Sequence, residues 1–206
     1  MKISNIIVAI SILNFSLLQA QVTDVVTGLT KPRFFELIGS DLYFSEYDPF
    51  NGKISKIDIT MQNPTPINIL TGLGGPSGLE LNGNDLYILQ FNDLKISKFN
   101  VNDAVPTVFD IVTELENNSP TALLIYGNEL YFSSYQHNKI SKIDLSLSSP
   151  TIENVTTVLD GPYAFLLNGN DLYISVFTSG KISKMDITSV NPSLVDIVSG
   201  LNGPIG

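Results

Sequence analysis

From residue 31 onward the chain is written in short apolar-rich runs separated by turn residues. The stretch from 78 to 115 shows the pattern: Gly78 to Leu81, Asp85 to Phe91, Lys95 to Val101 and Thr107 to Leu115 are rich in Ile, Leu, Val, Phe and Tyr. No segment after the leading one repeats its apolar residues at a 3.6-residue period, so the pattern predicts strands and excludes helical solenoids. Between the first two runs stands Asn82-Gly83-Asn84. Asn-Gly and Gly-Asn tolerate positive φ and favour a type I′ hairpin, which makes the first two strands of the unit, a and b, a hairpin.

The same unit occurs four times. Asp41-Leu42-Tyr43, Asp85-Leu86-Tyr87, Glu129-Leu130-Tyr131 and Asp171-Leu172-Tyr173 follow at spacings of 44, 44 and 42 residues. The string KISK recurs in step, at Lys53 to Lys56, Lys95 to Lys98, Lys139 to Lys142 and Lys181 to Lys184, and Gly39, Gly83, Gly127 and Gly169 mark the hairpin in every repeat. A period of 40 to 45 residues is that of solenoids, propellers and arrays. Four short antiparallel strands per unit, apolar on both faces of strands a and b, suit an all-β β-propeller, whose blades are sandwiched between neighbours. A parallel β-helix is the runner-up, but its coils are usually shorter and would not need an Asn-Gly hairpin once per repeat; a linear β-array is the remaining alternative.

The repeats run from about 30 to 73, 74 to 116, 117 to 160 and 161 to 201, with an incomplete fifth from 202, inside a domain spanning 21–206. Gly200-Leu201-Asn202-Gly203-Pro204-Ile205-Gly206 matches Gly72-Leu73-Gly74-Gly75-Pro76-Ser77-Gly78. Thr23 to Leu29 resembles a repeat's last strand without its partners. The expectation is therefore a truncated sequence, with four blades present of six.

Residues 1–20 read as a signal peptide. Lys2 precedes an apolar run from Ile6 to Leu18, and Ala20 offers a small residue for cleavage. That run is too short and too interrupted by Ser11, Asn14 and Ser16 for the roughly 20 residues of a spanning helix. The expected location is outside the cytoplasm: secreted, periplasmic or at the cell surface. The chain has no cysteine, so disulfides and thiolate chemistry are excluded and stability must come from packing. A net charge of −9 argues against nucleic acid, whose recognition depends on cations displacing phosphate counterions.

Gly75-Pro76-Ser77-Gly78-Leu79, followed by Asp85-Leu86-Tyr87-Ile88 and Lys95-Ile96, resembles the NHL repeat, and Tyr43-Phe44-Ser45-Glu46 resembles the related YWTD repeat. The resemblance, which extends to the gluconolactonase-like superfamily, implies a six-bladed propeller. It covers nearly all of the mature chain, but its motifs are structural punctuation and carry little about function.

Eight of the eleven Lys and Arg residues belong to the KISK strings. A charge present once per repeat reads as scaffold, with lysines on the edge of strand c meeting carboxylates such as Asp58, Asp144 and Asp186. Residues that break the repeat are more informative. Three places before the hairpin glycine stand Glu36 and Glu80 in repeats one and two, but Leu124 and Leu166 in repeats three and four. If they face a central channel, the two carboxylates could hold a divalent cation such as calcium or work as an acid and base pair; otherwise they are solvated. In the loops at the entrances of strand a, Arg33 and Tyr163 differ between repeats and could grip an anionic or sugar-like partner. The tips after strand b carry an aromatic at their second place, Tyr47, Phe91, Tyr135 and Phe177, a regularity that points to packing.

His137 is the chain's one histidine, and no nucleophile-elbow string accompanies it. Asn117-Asn118-Ser119 and Asn154-Val155-Thr156 match the glycosylation pattern. Two functions are compatible with these residues. One is an exported module binding a protein or glycan, with no reaction. The other is a metal-dependent lactonase or hydrolase anchored on Glu36 and Glu80; against it, the Glu-Gly-Pro opening of the gluconolactonases is absent.

Overall fold

The computed structural model describes residues 24–115 and 120–205. The expected signal peptide, the sequon at Asn117 and the final Gly206 lie outside the described residues. Strand runs and turn residues become sixteen strands in four antiparallel sheets, and no helix occurs among the described residues. The first sheet contains β1 (Pro32–Ile38), β2 (Asp41–Glu46), β3 (Gly52–Asp58) and β4 (Ile67–Leu73). The second contains β5 (Pro76–Asn82), β6 (Asp85–Gln90), β7 (Lys95–Asn100) and β8 (Phe109–Val112). The third contains β9 (Pro120–Tyr126), β10 (Glu129–Ser134), β11 (Lys139–Asp144) and β12 (Glu153–Thr156). The fourth contains β13 (Pro162–Asn168), β14 (Asp171–Val176), β15 (Lys181–Asp186) and β16 (Val195–Val198). Each sheet is a meander in sequence order, so one sequence repeat makes one sheet.

The hairpin glycines do what the sequence requires of them. Gly39, Gly83, Gly127 and Gly169 all lie at φ of 61 to 62°, but Ser40, Asn84, Asn128 and Asn170 after them do not have positive φ, so the two-residue hairpins have the type II′ pattern, with glycine at the first central position, rather than the expected type I′. Each a strand then starts with a bulge, where its proline pairs with the last residue of strand b. In three sheets a serine of strand b fills the gap. Ser45, Ser133 and Ser175 accept the backbone N–H of Phe34, Ala122 and Ala164 at 3.0 to 3.1 Å.

Three apolar clusters lie between consecutive sheets. Tyr43, Ile54 and Leu70 pack on Leu79, Leu86 and Phe99; Tyr87, Ile96 and Val112 on Leu123, Leu130 and Ile143; Tyr131, Ile140 and Leu159 on Leu172, Ile174 and Met185. Polar ties reinforce these contacts, as where Ser45 donates to the Ser77 carbonyl and Thr121 to the Tyr163 carbonyl. The sheets therefore form an arc, first to second to third to fourth.

Two expectations change. Strand c is interior, between b and d, so its lysines do not guard an edge. Their partners also differ. The second lysine of each string reaches to the first residue of the neighbouring strand b, pairing Lys56 with Asp41, Lys98 with Asp85, Lys142 with Glu129 and Lys184 with Asp171 at 2.6 to 3.1 Å. Asp58, Asp144 and Asp186 instead accept hydrogen bonds from Thr60, Ser146 and Thr188, which hold their carboxyls below the usual range. Residues 24–29 form no strand, although Gly28 at φ 79° has the conformation of Gly72 and Gly200 at the ends of the first and fourth repeats.

Candidate functional site

The b-to-c loops and the starts of the a strands share one end of the sheets, because each a-strand proline is registered against the last residue of strand b. This end is the loop face. Here the structure brings Arg33 and Tyr163 to the aromatic tips. Arg33 lies at the start of β1 rather than in a loop, with its guanidinium 3.9 Å from the centre of the Tyr47 ring. Tyr47 meets Phe91 edge-on at 6.4 Å and donates its hydroxyl proton to Asn92. Further along, Tyr163, in β13, forms a triangle with Tyr135 and Phe177 at 5.7 to 6.3 Å between centroids. The rings pack on one another, as their regular placement implied. Their faces also remain partly open to solvent, which a closed core does not allow.

A pocket of about 540 Å³ opens beside Tyr47, lined by Thr30, Glu46, Asp48, Asn51, Lys53, Asn68 and Thr71. Glu46 is almost fully buried. It is stabilised by Lys53 at 3.0 Å, by the Thr30 N–H at 2.8 Å and by the Ser55 hydroxyl at 3.3 Å. Asp48 accepts the N–H groups of Phe50 and Asn51, which shapes the β2–β3 loop and holds its carboxyl below the usual range. The pocket floor is specific to the first repeat: the place of Glu46 is taken by Gln90, Ser134 and Val176 in the others. Sequence reasoning passed over this pocket because Lys53 belongs to a repeated string and Glu46 to a tip read as packing. The signal was the series Glu, Gln, Ser, Val at one repeat position.

Glu36 and Glu80 lie on β1 and β5, the strands that open adjacent sheets, and are close enough for their charges to interact. Glu80 is directed toward the third sheet, where Oε1 accepts the Ile125 N–H of β9 at 3.2 Å. Burial pushes its carboxyl up to about 7, with the Ile125 N–H opposing and the Glu36 charge adding. Burial also raises Glu36. One Glu80 oxygen is thus already engaged in tying two sheets together, and no group of three His, Cys, Asp or Glu residues able to hold a metal occurs among the described residues. His137 is exposed in the β10–β11 loop. Asn154 of the second sequon lies in β12 with its side-chain oxygen accepting from Ser141.

No protein-family model matches the sequence, and no curated protein matches it. The fold, by contrast, is similar to many solved structures. One in the nidogen/laminin complex aligns with a TM-score of 0.68 at 13% identity, covering 83% of this chain and 65% of that one. Virginiamycin B lyase from Staphylococcus aureus aligns at 0.64 and 13% identity, covering 85% and 58%. These neighbours are β-propellers, and the four four-stranded antiparallel sheets of this chain fit propeller blades. The chain is a β-propeller. A Bacteroides fragilis protein provisionally named a 6-phosphogluconolactonase is also similar, at 0.62 and 14% identity over 84% of this chain and 56% of that one. The chain spans 56 to 65% of the length of these three relatives in structure. Such similarity establishes the fold alone, and the relatives' names include both a binding complex and enzymes. The four sheets are blades one to four of this propeller arc. No helix among the described residues is long and apolar enough to cross a membrane.

Proposed function

We propose that this propeller is an exported binding module, secreted, periplasmic or on the cell surface, that takes a protein or glycan partner on its loop face. The observation that carries the reading is the first-blade pocket beside the aromatic row. The pocket is of ligand size, within the roughly 300–1,000 Å³ range of small-molecule sites. It presents an ammonium, amides and hydroxyls around a buried carboxylate, with Tyr47 and Arg33 at its rim. Arg and Tyr dominate the energetics of recognition because they bring large contact area with directed polar groups.

A binding screen of the purified chain against immobilised glycans and extracellular matrix proteins tests this. A specific ligand should be found, and Arg33→Ala, Lys53→Ala and Tyr163→Ala should each weaken it by about tenfold or more, equivalent to 1.4 kcal/mol. Equal binding by all three variants would remove the loop face from the reading. A second reading, a metal-dependent lactonase or hydrolase, is favoured by the interacting Glu36 and Glu80 pair. It requires that calcium or another divalent ion raise the melting temperature by binding the native state and that Glu36→Gln abolish the rise.

A further inference from the structure

The entrance to strand a is built differently in the fourth blade. Through the repeats, the place of Tyr163 is held by Arg33, Ser77 and Thr121, and that of Asp160 by Thr30, Gly74 and Asn118. Ser77 and Thr121 use their hydroxyls for the scaffold, donating to the carbonyls of Leu89 and Tyr163. The hydroxyl of Tyr163 and the exposed carboxylate of Asp160, by contrast, have no hydrogen-bond or ion-pair partner among the described residues.

Both groups stand at one platform of rings. Tyr135 comes from the tip of the third blade and Phe177 from the tip of the fourth, and each meets Tyr163 at 6.1 to 6.3 Å between centroids. The connection into β13 is tied to the same tip. The Gly161 carbonyl accepts the Phe177 N–H at 2.8 Å, and the Asp160 carbonyl accepts the Thr178 N–H at 3.2 Å. Gly161 is buried at φ 77°, and a β-carbon there would stand 2.9 Å from the Tyr135 ring and 2.6 Å from the Thr178 hydroxyl. The rings are thus fixed before any ligand arrives, at the junction of the third and fourth blades that Tyr131, Ile140, Leu172 and Ile174 pack together.

We infer that this platform binds a neutral pyranose ring of a glycan, which names the ligand class of the loop face and rests on the reading of that face as a binding surface. A pyranose has an apolar C–H face and a rim of hydroxyl donors. Aromatic rings partly open to solvent match the first. A carboxylate, which only accepts hydrogen bonds, matches the second, and the Tyr163 hydroxyl can donate or accept beside it. Asp160 also repels sulfated, phosphorylated and uronic acid sugars. A quaternary ammonium would need ring faces around it. Here Tyr135 meets the other two rings edge to face, at 73 to 80°, so the trio packs on itself instead of opening as a cage.

Calorimetric titration with cellohexaose, chitohexaose, mannohexaose and xylohexaose decides this, with choline as the cationic probe and collagen and fibronectin as protein probes. At least one hexasaccharide should bind. Tyr163→Ala and Asp160→Ala should each weaken it by about tenfold or more, while Tyr163→Phe, which keeps the ring, should stay within about fivefold. Asp160 is exposed and outside every strand, so Asp160→Ala keeps the fold, which an unchanged melting temperature checks. The inference is overturned if no hexasaccharide binds, or if choline, collagen or fibronectin binds in a way that Tyr163→Ala abolishes. It is also overturned if Tyr163→Ala or Asp160→Ala binds the hexasaccharide as well as the unaltered chain does. In that last case, loss of binding in Arg33→Ala or Lys53→Ala leaves the loop face as the binding surface, whereas no loss in any of the four alanine variants removes that reading too.

Discussion

Glu80 and Lys31 are single side chains whose cost the fold carries for position. Glu80 in the folded chain titrates at about 7, above the ordinary glutamate value of 4.5. Between those values the native state holds a proton that the unfolded chain has released, so stability falls as pH rises from 4.5 to 7 and levels off above. The loss is at most about 3 kcal/mol at 1.36 kcal/mol per pH unit, and Glu36, also raised, adds in the same direction. Denaturant midpoints across this range should therefore decline for the native sequence and flatten in Glu80→Gln. An unchanged slope would show that the carboxyl is better solvated than its place between blades two and three implies. Lys31 has φ of 47° before Pro32, where Gly75 and Gly161 adopt 62° and 77° before their own prolines. A left-handed lysine costs roughly 1 kcal/mol relative to glycine. Lys31→Gly should leave stability unchanged or raise it by up to that amount, despite the added freedom of the unfolded chain, and a clear loss in melting temperature would contradict this account.

Within each blade, the bulge at the start of strand a is the element most exposed to a one-atom deletion. Ser133 is fully buried and its hydroxyl is the partner of the Ala122 N–H. Ser133→Ala would strand that N–H away from water, which costs about 1–3 kcal/mol. The same order of loss is expected for Ser45→Ala, whereas Lys98→Ala, which breaks a half-exposed pair with Asp85, should cost under about 1 kcal/mol. Chemical denaturation of the three variants should rank them in that order. Gly83→Val tests the hairpin separately. A β-carbon at Gly83 would meet nothing within 4 Å, so its whole cost is the left-handed backbone, about 1 kcal/mol or more for a branched residue.

These elements also mark what was legible in advance. The Asn82-Gly83 hairpin and the KISK strands follow from local chemistry, since a glycine able to take positive φ and short runs of β-forming apolar residues are written in adjacent positions. The pairing of Lys98 with Asp85 was not, because it depends on strand c lying inside the sheet. The pocket around Glu46 was hidden for a related reason. Its walls come from the segment before β1, from β2, β3 and β4, and nothing in the sequence near Glu46 says that Thr30 and Asn68 will stand beside it.

Across the arc, stability should be distributed unevenly because each blade packs only on its sequence neighbours. In such a quasi-one-dimensional array the folded state is held by the sum of blade and interface contributions. Blades two and three have apolar partners on both faces: Leu86 and Leu130 are fully buried in separate clusters, as are Ile96 and Ile143 between them. Blades one and four have such a cluster on one face only, with Phe35 and Leu166 open on the other. Amide hydrogen exchange at low protein concentration should therefore show the slowest exchange in β6, β7, β10 and β11. The b and c strands of the end blades, β2, β3, β14 and β15, should open at a lower free energy although their ladders are equally complete. A uniform exchange profile across the four blades would mean that the arc opens as one cooperative unit.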